Sequence, residues 1–397
     1  MIYIHIPFCR SFCTYCDFYS EVAAKCRGAE DALKQEAMFG KFADALVQEI
    51  RHRADDITHE VNTLYIGGGT PSVLPLYVFE LILQALDETG HGGPYDEFTV
   101  EVNPEDIVEK GEDYVRGLLQ LGVNRISMGV QSFDDGILKF MNRRHDAQTA
   151  RKAYAILENA GVSNISIDLI FGLSQLTDSQ WQESLRDALA ISPSGQLPKH
   201  ISSYQLSVEP GSMLARLVER GKWEEASDEL CERQYEMLCD ALRNAGYRHY
   251  EISNFALPGY EARHNSAYWR HIPYIGLGPG AHSLISPQSN TRPGHASDEA
   301  GLYIRQWNEP DLNKYIEDPL SVQDGEELTE EQVVLERIML ALRTSEGISE
   351  DYLNAHADPQ ALECALTMGN LIRMENGHIR IPEKCFFISD SIITDII

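Results

Sequence analysis

The stretch Cys9-Arg10-Ser11-Phe12-Cys13-Thr14-Tyr15-Cys16 places three cysteines at spacings of three and two intervening residues. It follows a short apolar run, residues 2–6, which predicts a strand that carries the cysteines to its carboxyl end. Three thiolates can hold three irons of a [4Fe–4S] cluster and leave the fourth iron open to a small molecule. Chance clustering and an incomplete zinc site are the alternatives. Structural zinc needs four ligands, commonly in two pairs, and no second pair of this kind occurs.

Apolar, strand-like runs alternate with amphipathic helical patterns in the first half of the chain. The strand-like runs are residues 2–6, 61–66, 98–102, 125–130, 165–170 and 200–206, and helical patterns cover 32–53, 76–88, 112–121, 147–160 and 179–190. This order predicts an α/β fold with a parallel sheet and right-handed crossovers. Six units predict a partial (β/α)6 barrel, in which functional residues lie at the carboxyl ends of the strands.

Residues with useful chemistry follow several of these strands. The glycines of Gly67-Gly68-Gly69-Thr70-Pro71 let the backbone approach a ligand and present its N–H groups. Glu101 ends the third strand, where a carboxylate can bind ribose hydroxyls, although a solvated strand end is the ordinary alternative. Gln131 ends the fourth strand. Asp168 lies in the apolar fifth run, so it is either buried and paired or faces a site.

The cysteine spacing, together with Tyr3-Ile4-His5-Ile6-Pro7-Phe8-Cys9, resembles the radical SAM enzymes, and in particular their oxygen-independent coproporphyrinogen III oxidase branch. The resemblance implies a radical SAM barrel with a [4Fe–4S] cluster on Cys9, Cys13 and Cys16 and S-adenosyl-L-methionine (SAM) on the open iron. In this family, SAM is cleaved to methionine and a 5′-deoxyadenosyl radical. Motif matches imply SAM contacts from Tyr3, Tyr15, Gly68, Gly69, Thr70, Glu101, Gln131, Arg143 and Asp168. Residues 173–177 depart from the family's usual Pro-x-Gln-Thr.

A second motif, His264-Asn265-Ser266-Ala267-Tyr268-Trp269, lies beyond the barrel units. From chemistry alone, a histidine beside two aromatic residues is more often a hydrogen-bonded core residue than an axial haem ligand. The pattern His-Asn-x-x-Tyr-Trp, however, resembles the haem-binding motif of the haem chaperones in the same branch. The resemblance therefore implies that His264 binds haem.

Two functions compete under this resemblance. One is an oxygen-independent coproporphyrinogen III dehydrogenase, which decarboxylates propionate groups in porphyrin biosynthesis; the other is a haem chaperone that delivers haem to respiratory haem proteins. Phe18 stands where the oxidases carry a fourth cysteine, only eight residues precede Cys9 where the oxidases have a long segment, and the His264 motif is that of the chaperones. These features favour the chaperone. They leave open whether the chain is also an enzyme and whether SAM is consumed.

Composition limits the other classes of function. The 397 residues carry a net charge of −28, which disfavours nucleic-acid binding through phosphates. We expect a cytoplasmic protein, because the sequence shows no signal peptide and no apolar run of about 20 residues. Eight cysteines, five of them scattered, favour free thiols over a disulfide framework; Cys26 is one of those expected to be free.

The sequence predicts three regions and a set of partners. We expect a barrel core over 1–210, a barrel extension with the haem motif over 211–324, and a small helical, winged-helix-like domain over 325–397. Composition predicts an irregular loop over 286–310. Thr329 with Gln332 predicts a capping box, and Asn376-Gly377 predicts a hairpin. The implied partners are haem, haem-accepting respiratory proteins, an electron donor for the cluster and, through these partners, a membrane surface; a homodimer is left open.

Overall fold

Strands and helices alternate along the computed structural model, which describes residues 1–22, 29–286 and 303–397. The strands are β1 (Ile2–Ile6), β2 (Phe8–Cys9), β3 (Glu21–Val22), β4 (Thr63–Gly68), β5 (Glu97–Val102), β6 (Arg125–Gln131), β7 (Ile165–Phe171), β8 (His200–Gln205), β9 (Arg248–Glu251), β10 (Asn254–Ala256), β11 (Ile275–Leu277), β12 (His282–Ile285), β13 (Tyr303–Asn308), β14 (Gln323–Leu328), β15 (Ile348–Ser349), β16 (Ile372–Arg373) and β17 (His378–Arg380). The α-helices are α1 (Ala29–His52), α2 (Leu76–Glu88), α3 (Pro104–Gln120), α4 (Asp135–Phe140), α5 (Ala147–Ala160), α6 (Asp178–Leu189), α7 (Met213–Glu219), α8 (Asp228–Asn244), α9 (Arg263–Trp269), α10 (Leu312–Glu317), α11 (Glu330–Leu342), α12 (Glu350–His356), α13 (Pro359–Met368) and α14 (Ser389–Ile396).

A nine-stranded sheet in the order β11-β1-β4-β5-β6-β7-β8-β10-β9 forms the centre of the molecule. The strands from β1 to β8 in this order pair in parallel, and β11 is parallel to β1 on the other side. These six strands are the predicted ones, so the partial (β/α)6 barrel is confirmed. Antiparallel β10 and β9 extend the sheet past the sixth unit.

Burial on both faces explains why the strand sequences are apolar almost throughout. In β7 every residue except Asp168 is buried, as expected for a parallel strand covered by helices. The covering helices begin at side-chain caps: Asp146 accepts from Thr149 N at α5, and Thr177 forms a capping box with Gln180 at α6. Because each cap fixes where its helix starts, the loops that precede the helices stay at the carboxyl ends of the strands.

Helix α9 packs against the opposite, amino ends of the strands. Glu97, the first residue of β5, accepts hydrogen bonds from Arg263 N at 2.8 Å and from His264 N at 3.1 Å. A carboxylate at a helix amino terminus satisfies N–H groups that have no partner within the helix. The haem motif therefore lies beneath the barrel, at the end away from the cysteines.

A three-stranded sheet, β12-β13-β14, follows the haem motif. The prediction of an irregular loop over 286–310 is wrong for residues 303–308, which form β13 between β12 and β14. Composition alone did not indicate this strand, because β13 is defined by its pairing with β12 and β14, which precede and follow it in the sequence. Residues 287–302 and Cys26 lie outside the described residues. The proposed boundary at 325 falls within β14.

The last region combines helices with a small sheet, β15-β17-β16, as expected for a winged-helix-like unit. The predicted capping box of Thr329 and Gln332 is present at α11, and the predicted hairpin turns at Gly377 with a φ of 79°. Buried side chains of this unit, such as Leu342 and Phe386, belong to the same apolar core as those of the barrel. We keep the three-region division as a proposal. No helix among residues 1–22, 29–286 and 303–397 is long and apolar enough to span a membrane.

Candidate functional site

A cavity of about 570 Å³ opens at the carboxyl ends of the barrel strands. It brings together residues that are far apart in sequence and that come from the loops after β1, β4, β5, β6 and β7. The predicted site residues that line it are Cys9, Cys13, Tyr15, Cys16, Gly68, Gly69, Thr70, Glu101, Gln131, Arg143 and Asp168.

The three cysteines of the first loop share one wall of this cavity as free thiols. Cys9 Sγ lies 3.4 Å from Thr70 Oγ1, and Arg143 Nη1 donates to Cys13 Sγ at 3.4 Å. Burial is the main reason that the pKa of Cys16 is raised to about 12. Three thiols along one wall could each hold one iron of a [4Fe–4S] cluster, and iron would replace the thiol protons on binding.

The glycine turn leaves bare backbone against the cysteine loop. Gly68 has a φ of 104°, and a Cβ added there would lie 2.5 Å from His5 Nδ1. A Cβ on Gly69 would lie 2.7 Å from Phe8 O. Only glycine fits either position without displacing the first strand or the loop after it. The turn therefore offers backbone groups to a ligand beside the thiols, which suits the amino and carboxylate ends of SAM.

Two half-buried carboxylates, Glu101 on β5 and Asp168 on β7, line the cavity. Glu101 accepts from Tyr65 Oη at 2.6 Å and from Gly68 N at 3.2 Å, and burial raises its pKa to about 7. Asp168 accepts from Ser127 Oγ at 3.2 Å, and burial raises its pKa too. Carboxylates held in this way can accept hydrogen bonds from ribose hydroxyls or face a cation.

Arg143 faces the cavity, whereas its neighbour Arg144 faces outward. The guanidinium of Arg143 donates through Nη2 to Asn103 Oδ1 at 2.7 Å and to Gly129 O at 2.8 Å. The side chain of Arg144 is 36% exposed and lies 3.8 Å from Glu105. These contacts fix the Arg143 guanidinium between the cysteine loop and the end of β6, where it can meet a carboxylate ligand.

Sequence reasoning missed three residues of this site: Tyr65, Asn103 and Arg125. Tyr65 precedes the glycine turn by two residues, so strand alternation could have placed it on the same face as Gly67. Asn103 lies two residues after Glu101, but the sequence pattern assigned no role to it. Arg125 is 1% exposed, lines the cavity and leaves its Nε without a hydrogen-bond partner; it begins a strand, so no local signal pointed to the site.

Tyr3 lies outside the cavity lining, unlike the other predicted SAM contacts. Its hydroxyl is 3.0 Å from His5 Nδ1, and its ring centre is 6.1 Å from that of Tyr65. The side chain therefore packs behind the residues that face the cavity. In this arrangement it supports His5 and the glycine turn, and direct contact with SAM stays a prediction.

His264 is buried, and both of its ring nitrogens have partners. Nδ1 is 2.9 Å from Thr63 Oγ1, Nε2 is 3.0 Å from Tyr268 Oη, and the side chain packs on the ring of Tyr65. Burial lowers its pKa to about 3, so the ring is neutral at pH 7. This is the geometry of a hydrogen-bonded core histidine. To bind iron, His264 must give up one of these hydrogen bonds, and its role as a haem ligand stays a prediction.

The remaining residues of the haem motif face two different cavities. Asn265 reaches the inner end of the 570 Å³ cavity. Ser266 and Trp269 instead line a second cavity of about 680 Å³ on the other side of α9. The motif is therefore divided between the barrel interior and a separate surface.

The partial barrel and the three thiols at its open end define the class of protein: a radical SAM protein. Residues 3–188 match the Radical SAM superfamily. The chain is 36% identical to the heme chaperone HemW of Synechocystis sp. over 87% of this chain and 78% of that protein. It is 34% identical to HemW of Lactococcus lactis over 79% and 77% of the two chains. The chain belongs to the HemW family.

A solved structure supports the fold assignment. Coproporphyrinogen III oxidase (HemN) from Escherichia coli, described as a radical SAM enzyme, superposes with a TM-score of 0.74 at 20% identity. The match covers 99% of this chain and 89% of that chain. The likeness therefore extends through the C-terminal region, and at this identity it concerns the fold.

Proposed function

We propose that this protein is a haem chaperone that binds haem and delivers it to respiratory haem proteins, and that it carries a [4Fe–4S] cluster and SAM. The observation that carries the proposal is its similarity, over more than three quarters of each chain, to curated relatives named heme chaperones. Phe18 adds support: it lines the cavity and is 67% exposed, at the position where the oxidases carry a fourth cysteine.

Cys9, Cys13 and Cys16 would hold the cluster, and the cavity beside them would hold SAM. Bound there, a reduced cluster would supply an electron to SAM. Glu101 orients the ribose, the turn at Gly68 and Gly69 presents backbone to the amino acid end, and Arg143 contributes positive charge. Thr70, Gln131, Asp168 and Tyr15 complete the walls around the ligand.

Haem binding involves the segment around α9 in this proposal, with His264 as the ligand implied by the motif. The neutral imidazole is the form that coordinates iron. The hydrogen bonds to Thr63 and Tyr268 must open for this to occur, because both ring nitrogens are engaged. The proposal also includes an external electron donor, a cytoplasmic location, and contact with a membrane only through the recipients.

An anaerobic haem titration, followed by the Soret band, tests the proposal on the full chain with its cluster reconstituted. We expect saturable, stoichiometric binding by the wild type, weakened in His264→Ala if His264 is the ligand. His356→Ala on α12 is the matched control and should bind like the wild type. Unchanged binding by His264→Ala would keep the chaperone and remove His264 as the ligand. Absent binding, with turnover of coproporphyrinogen III, would replace the chaperone with the dehydrogenase.

A further inference from the structure

The second cavity lies at the junction of the barrel and the C-terminal region. Its walls come from α8, the edge strand β9, its neighbour β10, α9, and the segments that contain Thr344 and Glu383. At about 680 Å³ it is within the size range of sites for small ligands and cofactors, which occur preferentially where structural units meet. The proposed function assigns no role to this cavity.

Trp269, the last residue of the haem motif, is a half-buried wall of this cavity. The other three tryptophans have partners: Trp181 Nε1 donates to Gln234 O at 2.9 Å, Trp223 Nε1 donates to Gln175 Oε1 at 2.7 Å, and Trp307 pairs with the ring of His282. Within the described part of the chain, Trp269 makes no ring pair and its Nε1 donates no hydrogen bond. An indole with a free face suits a flat aromatic ligand.

Cys239 brings a soft donor atom to the same cavity. It is a free, buried cysteine on α8, and its Sγ lies 4.0 Å from His249 Nδ1. His249 is fixed by contacts of Nε2 with Tyr235 Oη and Ile252 O, both at 3.3 Å, and its ring stacks on Phe255. Burial raises the pKa of the Cys239 thiol to about 12, and iron would replace the thiol proton on binding, since thiolate sulfur is one of the axial ligands of haem iron.

Three arginines, Arg243, Arg248 and Arg270, stand at the rim of the cavity. Arg243 lies 3.6 Å from Glu383 and Arg248 lies 3.7 Å from Glu261, with both arginine side chains more than half exposed; Arg270 pairs with Glu346. Exposed ion pairs of this kind contribute little to stability. Carboxylate groups of a ligand can therefore take the place of the protein carboxylates at low cost.

From these contacts we propose that haem binds in this junction cavity, with its ring against Trp269, its iron on the Cys239 thiolate and its propionates at the rim arginines. The proposal rests on the proposed function, and it differs from it in one respect: Cys239 replaces His264 as the iron ligand. The sulfur–iron bond forms as the thiol releases its proton to solvent, with no change in oxidation state. The site accounts for the Trp269 half of a motif whose histidine is enclosed within the barrel.

The cysteine test is the same anaerobic titration, carried out on Cys239→Ser and Cys239→Ala. The control is Cys364→Ser, which changes an exposed cysteine on α13. We expect the dissociation constant to rise at least tenfold in both Cys239 variants and the thiolate-type Soret band to disappear. Cys364→Ser should match the wild type. SAM binding and circular dichroism, measured on every variant, check that each variant folds.

The tryptophan test does not depend on whether the Cys239 variants fold. Trp269→Phe should weaken haem binding several-fold and remove much of the quenching of indole fluorescence by haem, whereas Trp223→Phe should leave the affinity unchanged. A wild-type Soret band of imidazole type, or full affinity in both the Cys239 and Trp269 variants, overturns this site and leaves the chaperone intact. Absence of haem binding by the wild type overturns the proposed function and, with it, this site.

Discussion

Arg143 and Arg144 are adjacent in sequence but have different surroundings, so they form a matched pair for mutation. Arg143→Lys removes the fork that contacts Cys13, Asn103 and Gly129, and we expect it to weaken SAM binding about tenfold or more, because each lost charge-assisted hydrogen bond is worth about 1.5–3 kcal/mol. Equilibrium dialysis with labelled SAM measures the effect. Arg144→Lys is the control; equal losses in both variants would contradict the assigned roles.

Glu101 should make SAM binding depend on pH near neutrality. Burial raises its pKa to about 7, while Asp168 and Arg125 act on it in opposite directions. The raised pKa means that protonated Glu101 contributes stability to the free protein at low pH, and this contribution is lost as the pH rises through about 7. Under the proposed function SAM binds the carboxylate form of Glu101, so the affinity for SAM should change in the opposite sense.

We therefore expect SAM affinity to increase about tenfold between pH 6 and pH 8 in the wild type. Isothermal titration calorimetry across this range measures it. Glu101→Gln should bind weakly with no such slope, and Glu112→Gln, on the surface of α3, should keep the slope of the wild type. A slope that survives in Glu101→Gln would assign the titration to another group.

Most of the predicted site residues line one cavity, and they could be selected because their signal is local: a cysteine spacing, a glycine turn, or a polar residue that ends an apolar strand. Tyr65 and Asn103 were missed because their partners, Glu101 and Arg143, reach them across neighbouring strands. The hydrogen-bond partners of His264 could not be predicted from the sequence either. One of them is Thr63, which lies about 200 residues earlier in the chain.

At the scale of elements, the turn after β4 is shaped by its glycines. Gly68→Ala would place a Cβ 2.5 Å from His5 Nδ1 at a φ of 104°, so we expect a lower melting temperature and lost SAM binding. Gly40→Ala is the matched control, since nothing lies within 4 Å of its added Cβ inside α1. Alanine in a helix should raise stability by up to about 1 kcal/mol there. Thermal unfolding of both variants measures the contrast, and an undisturbed Gly68→Ala would contradict the close approach.

Element types followed from periodicity wherever a strand or helix buries a regular apolar pattern, as in β7 and α5. Periodicity did not predict β13, because most residues of Tyr303–Asn308 are half-buried and the strand is defined by its pairing with β12 and β14. The orientation of α9 could not be predicted from the sequence either. Glu97 anchors its amino end and thereby decides which residues of the motif face the barrel.

At the scale of the whole molecule, a partial radical SAM barrel and a winged-helix-like region share one apolar core. The fold class followed from the order of strands and helices together with the family resemblance. The division into three regions stays a prediction, and the proposed boundary at 325 lies within β14. The second cavity lies between parts of the chain that share this core.

Transfer of haem from this chain to other proteins is the step on which the proposed function depends. The most direct measurement mixes the haem-loaded, cluster-containing chain with the apo form of a b-type cytochrome and follows its visible spectrum under anaerobic conditions. A haem scavenger in a parallel sample measures spontaneous release. We expect the cytochrome to fill faster than haem is released to the scavenger, at a rate that rises with cytochrome concentration. Filling no faster than spontaneous release would contradict delivery by this protein.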